Sequence, residues 1–187
     1  MTTLLTRLRA RPVPSLIAVV ALVLAVTFGV LALVLSGSTS ANSSPDEVKN
    51  TAGGYSIRLP DSWSSKQEGR TTTATSSDGK TLVTFGVGRT GPLPVAGTLF
   101  FQQIGGKYHN VQVFAPEAKR IGGLPALAYG GAGINDKNTG IRFLAISVQN
   151  SPTNYGIAVF TAADSDPAKV LPQVNNLVDS FRKLPPG

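Results

Sequence analysis

"TFGVGRTGPLP", residues 84–94, decides between two fold classes. Gly86, Gly88 and Gly91 spell the G-x-G-x-x-G of a dinucleotide-binding loop, and the apolar run "TLVTF" (81–85) leads into them. If the spelling were functional, the chain would be a parallel α/β protein whose last glycine lets a helix N-terminus approach a pyrophosphate. The surroundings argue otherwise. Pro92-Leu93-Pro94 does not suit an immediate helix start, and the flanking strands read as hairpins, not as βαβ units. A chain of 187 residues with 20 glycines also produces this spacing by chance. The three glycines are therefore expected at a turn and a bulge at a strand end, with no cofactor bound.

On either side of this stretch the text is strand-like. "EGRTTTATSSDGKTLVTFGVGR" (68–89) holds a Thr-rich strand, an Asp78-Gly79 hairpin signal and a second strand over Leu82–Gly88. Earlier, Tyr55, Ile57 and Leu59 alternate with Ser56 and Arg58 up to Pro60, the pattern of a half-buried strand. Later, "VQVFAPEAKRIGG" (111–123), "LPALAYGGAGI" (124–134), "IRFLAISVQN" (141–150) and "NYGIAVFTAA" (154–163) are divided by Gly-, Pro- and Asn-rich turns, which predicts an antiparallel meander.

Two segments carry helical periodicity. Leu99, Phe100, Ile104 and Tyr108 predict a short amphipathic helix over Val95–Ile104, closed by Gly105-Gly106. Asp166 as N-cap and Pro167 at the first position open a closing helix. Its apolar stripe runs Val170, Val174, Leu177, Val178 and Phe181, and Pro172 should bend it or delay its start. Stripes of this kind cover one face of a sheet, so the fold class is α+β: an antiparallel β-sheet flanked by helices.

The N-terminal region follows a different logic. Residues 16–35, "LIAVVALVLAVTFGVLALVL", carry no charge and match a bilayer's hydrocarbon thickness as a helix. Residues 1–15 contain Arg7, Arg9 and Arg11, against a single Lys49 behind the segment, which orients the N-terminus to the cytoplasm. A cleaved signal peptide is the alternative, but its apolar stretch is ordinarily about 7–15 residues, and "SGSTSA" lacks an A-x-A site. The reading is therefore a single transmembrane helix, 16–35, a Ser-rich linker over 36–50 and an extracytoplasmic domain over 51–184.

Composition limits the chemistry. There are no cysteines, hence no disulfides, no thiolate metal site and no lipidated cysteine. Setting aside Arg7, Arg9 and Arg11 leaves 14 basic and 10 acidic residues, a formal +4 with no obvious clustering, so nucleic acid is not an expected partner. His109 is the single histidine, and no nucleophile motif accompanies it. Asp164 and Asp166 read as helix-capping residues, and no carboxylate pair is marked for sugar hydrolysis. Trp63 reads as a core anchor. No catalytic, cofactor-binding or metal residue is expected.

Taken together, "GYSIRLPDSW" (54–63), the Gly-punctuated middle, and "NYGIAVFTAA" leading to "LVDSFRKL" (177–184) resemble the PsbP-like superfamily. That superfamily includes an extrinsic photosystem II subunit, a Ran-binding nuclear transport factor and LpqN-type envelope lipoproteins of actinobacteria. The resemblance implies a central antiparallel sheet with flanking helices, in proteins that act by binding. It carries no catalytic residue onto this chain. The expected function is that of a membrane-anchored, extracytoplasmic binding or adaptor module of the cell envelope, with an envelope protein as partner. The alternative is a carrier or sensor of a lipid or other apolar small molecule, held in a helix–sheet cleft lined by Leu99, Phe100, Phe101 and Ile104.

Overall fold

The computed structural model describes residues 47–185. The expected membrane segment 16–35, the basic stretch 1–15 and linker residues 36–46 lie outside the described residues. Among the described helices none is long and apolar enough to cross a membrane.

In chain order the elements are β1 (Glu47–Asn50), β2 (Tyr55–Arg58), β3 (Ser64–Glu68), β4 (Thr71–Thr75), β5 (Thr81–Thr90), α1 (Leu93–Gly105), β6 (His109–Val113), β7 (Glu117–Ile121), β8 (Leu124–Ile134), β9 (Gly140–Val148), β10 (Thr153–Ala162), α2 (Pro167–Asp179) and β11 (Arg182–Lys183). An eight-stranded sheet runs in the order β3-β4-β5-β10-β9-β8-β6, with β7 also on β8. All its pairings are antiparallel. A second, three-stranded sheet has the order β1-β2-β11. The fold is the expected antiparallel sheet with two helices.

Three differences from the sequence reading are instructive. Residues 47–50, read as the end of the linker, form β1, because β2 has no place in the large sheet and takes β1 as a partner, Val48 opposite Ile57. Strand β3 has no apolar alternation, since every residue in it is exposed; its pairing with β4 makes it a strand. "VQVFAPEAKRIGG" is two strands, not one, laid end to end along β8 and broken at Ala115-Pro116, where proline offers no ladder donor.

The Asp78-Gly79 hairpin joins β4 to β5. Gly79 adopts φ +68, and Asp78 Oδ1 accepts from the Ser76 hydroxyl at 2.6 Å and the Lys80 amide at 3.0 Å. The closing helix starts at Pro167 despite Pro172, capped by Asp166 Oδ1 accepting from the Ala168 amide at 3.0 Å.

Each face of the large sheet has its own core. On one face α2 buries Val174, Leu177 and Val178, and the chain after it buries Phe181. Phe181 stacks on Tyr55 (centroids 5.6 Å apart) and meets Tyr155 edge-on at 5.0 Å. The Tyr55 hydroxyl donates to the Phe85 carbonyl at 2.9 Å and sits 3.0 Å from Thr72 Oγ1, which joins the small sheet to the large one. Trp63 is 8% exposed and donates through Nε1 to Gln173 Oε1 at 2.7 Å, the anchor role expected of it. On the other face α1 buries Phe101 and Ile104 against Phe143, Ala145 and Ala158.

Candidate functional site

Gly86 and Gly88 lie inside β5, and Gly91 turns the chain at φ +110. A Cβ on Gly88 would sit 3.2 Å from Asn154 O and Gly156 N, where the β5–β10 register shifts between Thr153 and Tyr155. These are the turn and bulge expected of them. One expectation needs correction: α1 opens at Leu93, with Pro92 as its N-cap residue and Pro94 in its first turn. Proline is tolerated there because first-turn amides have no helical partner to lose. Proline there also lacks the amide donor that a phosphate would need. Both neighbours of β5 are antiparallel to it, so β5 is not the first strand of a βαβ unit among the described residues.

Helix α1 divides its apolar residues between the core and the surface. Phe101 and Ile104 point into the core, Phe100 lies against Gly156, whose built Cβ would be 3.3 Å from its ring, and Leu99 is 41% exposed with Val95 beside it one turn earlier. Phe100 packs against the same cluster as Phe101 and Ile104, while Leu99 faces outward. Gly97 permits the close approach of Tyr129, whose ring a Cβ there would meet at 2.6 Å. The Tyr129 hydroxyl donates to the Pro94 carbonyl at 3.3 Å and pairs with Thr98 Oγ1 at 3.2 Å. Tyr108 closes this core by stacking on Phe143 at 5.1 Å. Burial pushes its phenol up to about 12 and also raises Tyr55 and Tyr155.

His109 lines a shallow depression of about 290 Å³ with Asn110, Ile134, Asn135, Asp136 and Asn138. Its Nε2 lies 3.3 Å from Asp136 Oδ1, and both side chains are mostly in solvent. A histidine oriented by a carboxylate resembles half of a triad, but this lining offers no hydroxyl or thiol to activate. Among the described residues no three His, Cys, Asp or Glu side chains gather as a metal site.

The two edges of the large sheet differ in character. Strand β3 is polar and carries a Lys66–Glu68 ion pair at 2.6 Å, which suits an edge left in water. The β6–β7 edge carries Val113, 62% exposed, and Phe114, 51% exposed. Phe114 rests over Gly130, where a built Cβ would come within 3.0 Å of the ring and 3.8 Å of Leu144. This apolar step beside free edge backbone was missed in the sequence, where "VQVF" reads as ordinary strand text. Pro116, two residues on, was the available sign that the strand stops and leaves those side chains uncovered.

No family model and no curated protein matches the chain. Solved structures do. The cyanobacterial PsbP protein (CyanoP) of Synechocystis sp. PCC 6803 superposes with a TM-score of 0.57 at 14% identity, covering 79% of this chain and 98% of that one. The Saccharomyces cerevisiae Ran-binding protein Mog1p gives a TM-score of 0.56 at 10% identity, over 78% of this chain and 97% of that one. LpqN, involved in cell envelope biogenesis of Mycobacterium tuberculosis, gives 0.52 at 12% identity, over 79% and 90%. At these identities the likeness is one of fold, and residues 47–185 have the PsbP-like fold.

Proposed function

We propose that the protein is a non-catalytic binding or adaptor module of the cell envelope, anchored by residues 16–35 with its N-terminus cytoplasmic and its PsbP-like domain extracytoplasmic. The observation that carries the binding role is the β6–β7 edge. Among the described residues no strand pairs with the outer side of β6, beside which Val113 and Phe114 stand exposed, and that is the chemistry that receives a partner strand or apolar side chain. The Ran-binding role of Mog1p supports a partner that is itself a protein, and the involvement of LpqN in cell envelope biogenesis supports an envelope setting.

In-cell crosslinking of the tagged full-length chain tests the reading. A discrete envelope partner is expected with the native chain and is lost in a V113D/F114D variant of unchanged thermal midpoint. If the intact native chain traps no partner, or if the variant traps the same one, the edge is not the binding surface.

A further inference from the structure

The strand directions gather five cations at one end of the domain. The β3–β4 turn, the end of β5, the β7–β8 turn and the β9–β10 loop share one end of the large sheet, because β5 pairs antiparallel with β4 and β10, and β9 with β10 and β8. Strand β11 joins them: Lys183 Nζ donates to Asn150 Oδ1 in the β9–β10 loop at 2.7 Å. This end presents Arg70, Arg89, Arg120, Arg182 and Lys183, all exposed. The opposite end holds Asp78, Asp136, Asp164 and Asp166 together with Lys80, Lys137 and Lys169, so its charges offset one another.

Among the described residues none of these five cations is ion-paired. Lys49, Lys66, Lys80 and Lys169 each lie within 4 Å of a carboxylate. Arg89 instead reaches Gln103 Oε1, Arg120 the Gly123 carbonyl, and Arg182 the Asp179 and Phe181 carbonyls. Neutral acceptors leave the positive charge uncompensated. Glu68, on the strand that leads into the β3–β4 turn, is already held by Lys66 at 2.6 Å.

We propose that this cationic end docks on the surface of an anionic phospholipid bilayer. The occupant follows from the tether, and to that extent the inference rests on the anchored reading above. Residues 36–46 separate the anchor from Glu47, and fully extended they span at most about 40 Å. Strand β1 then runs from Glu47 toward the cationic end, ending at Asn50 about 10 Å further on. The tether keeps the whole domain near the bilayer and the cations select the end that meets it: each cation near an anionic surface strengthens binding by about fivefold, and salt screens the attraction.

The full chain is reconstituted in nanodiscs of phosphatidylcholine alone or with phosphatidylglycerol. A dye placed by Ser151→Cys in the β9–β10 loop reports energy transfer to labelled headgroups, and retention after an alkaline wash reports the anchor. The released chain is also tested for co-sedimentation with vesicles of the same two compositions. Higher transfer with phosphatidylglycerol, abolished by 0.5 M NaCl and lost in R70Q/R89Q/R120Q, is expected. These three side chains bear no buried packing, so the variant should keep its fold; K80Q/K137Q/K169Q at the opposite end should change nothing. A retained chain without lipid-dependent transfer overturns the docking and leaves the anchor. A chain that is not retained yet binds phosphatidylglycerol vesicles overturns the anchor and supports the docking. Neither retention nor vesicle binding overturns both.

Discussion

Gly122, in the β7–β8 turn, lies directly against the backbone of Phe181, such that a Cβ on it would fall 2.5 Å from the Phe181 carbonyl oxygen. The glycine also adopts φ +57. This is where the chain leaving α2 crosses the end of the large sheet before it pairs as β11 with β2. Gly122→Ala adds left-handed backbone strain and a collision with main chain that cannot rotate away. A loss of about 2–4 kcal/mol in urea unfolding is expected. A midpoint equal to that of the native chain would show that the turn and the closing segment do not touch.

Phe181 is 1% exposed and contacts Tyr55, Phe85 and Tyr155. Phe181→Ala should cost about 3–5 kcal/mol, since these four rings leave little freedom to collapse into the void. Thermal unfolding measures it, and a loss under 1 kcal/mol would place the ring outside the core.

Asp166→Ala removes the acceptor of the Ala168 amide at the start of α2. The expected loss is about 0.5–2 kcal/mol, and Asp166→Ser should recover most of it, because serine also caps. Failure of serine to recover stability would mean that Asp166 acts through charge alone.

The phenols predict the alkaline limit of stability. Tyr108 titrates near 12 when folded and near 10 when unfolded, so the folded state holds its proton more tightly. Its contribution is fully present below pH 10 and is lost as pH rises from 10 toward 12. Denaturant unfolding at pH 9 and pH 11 should show a smaller fall in Tyr108→Phe than in the native chain. Tyr55 and Tyr155, raised by burial, keep some of the slope in that variant.

Much of the secondary structure was legible because its causes are local. Asp78-Gly79 makes its turn with bonds inside five residues, and Asp166-Pro167 makes its cap with bonds inside three. The stripe from Val170 to Phe181 needs only helical periodicity to place it inward. The start of α1 was misplaced by two residues because prolines disfavour a helix interior yet fit its first turn.

By itself the sequence determined the fold class, the two helices, the hairpin and the exclusion of a dinucleotide loop, because each rests on patterns of a few neighbouring residues. Only the tertiary structure decided that β2 leaves the large sheet for β1 and β11, that β6 and β7 share one edge of β8, and that Phe114 stays in water while Phe101 does not. It also decided that cations far apart in the chain gather at one end, since strand pairing across tens of residues sets which turns become neighbours. Pairing partners depend on competition among several similar strands for the same hydrogen bonds, and no single strand's text encodes the outcome of that competition.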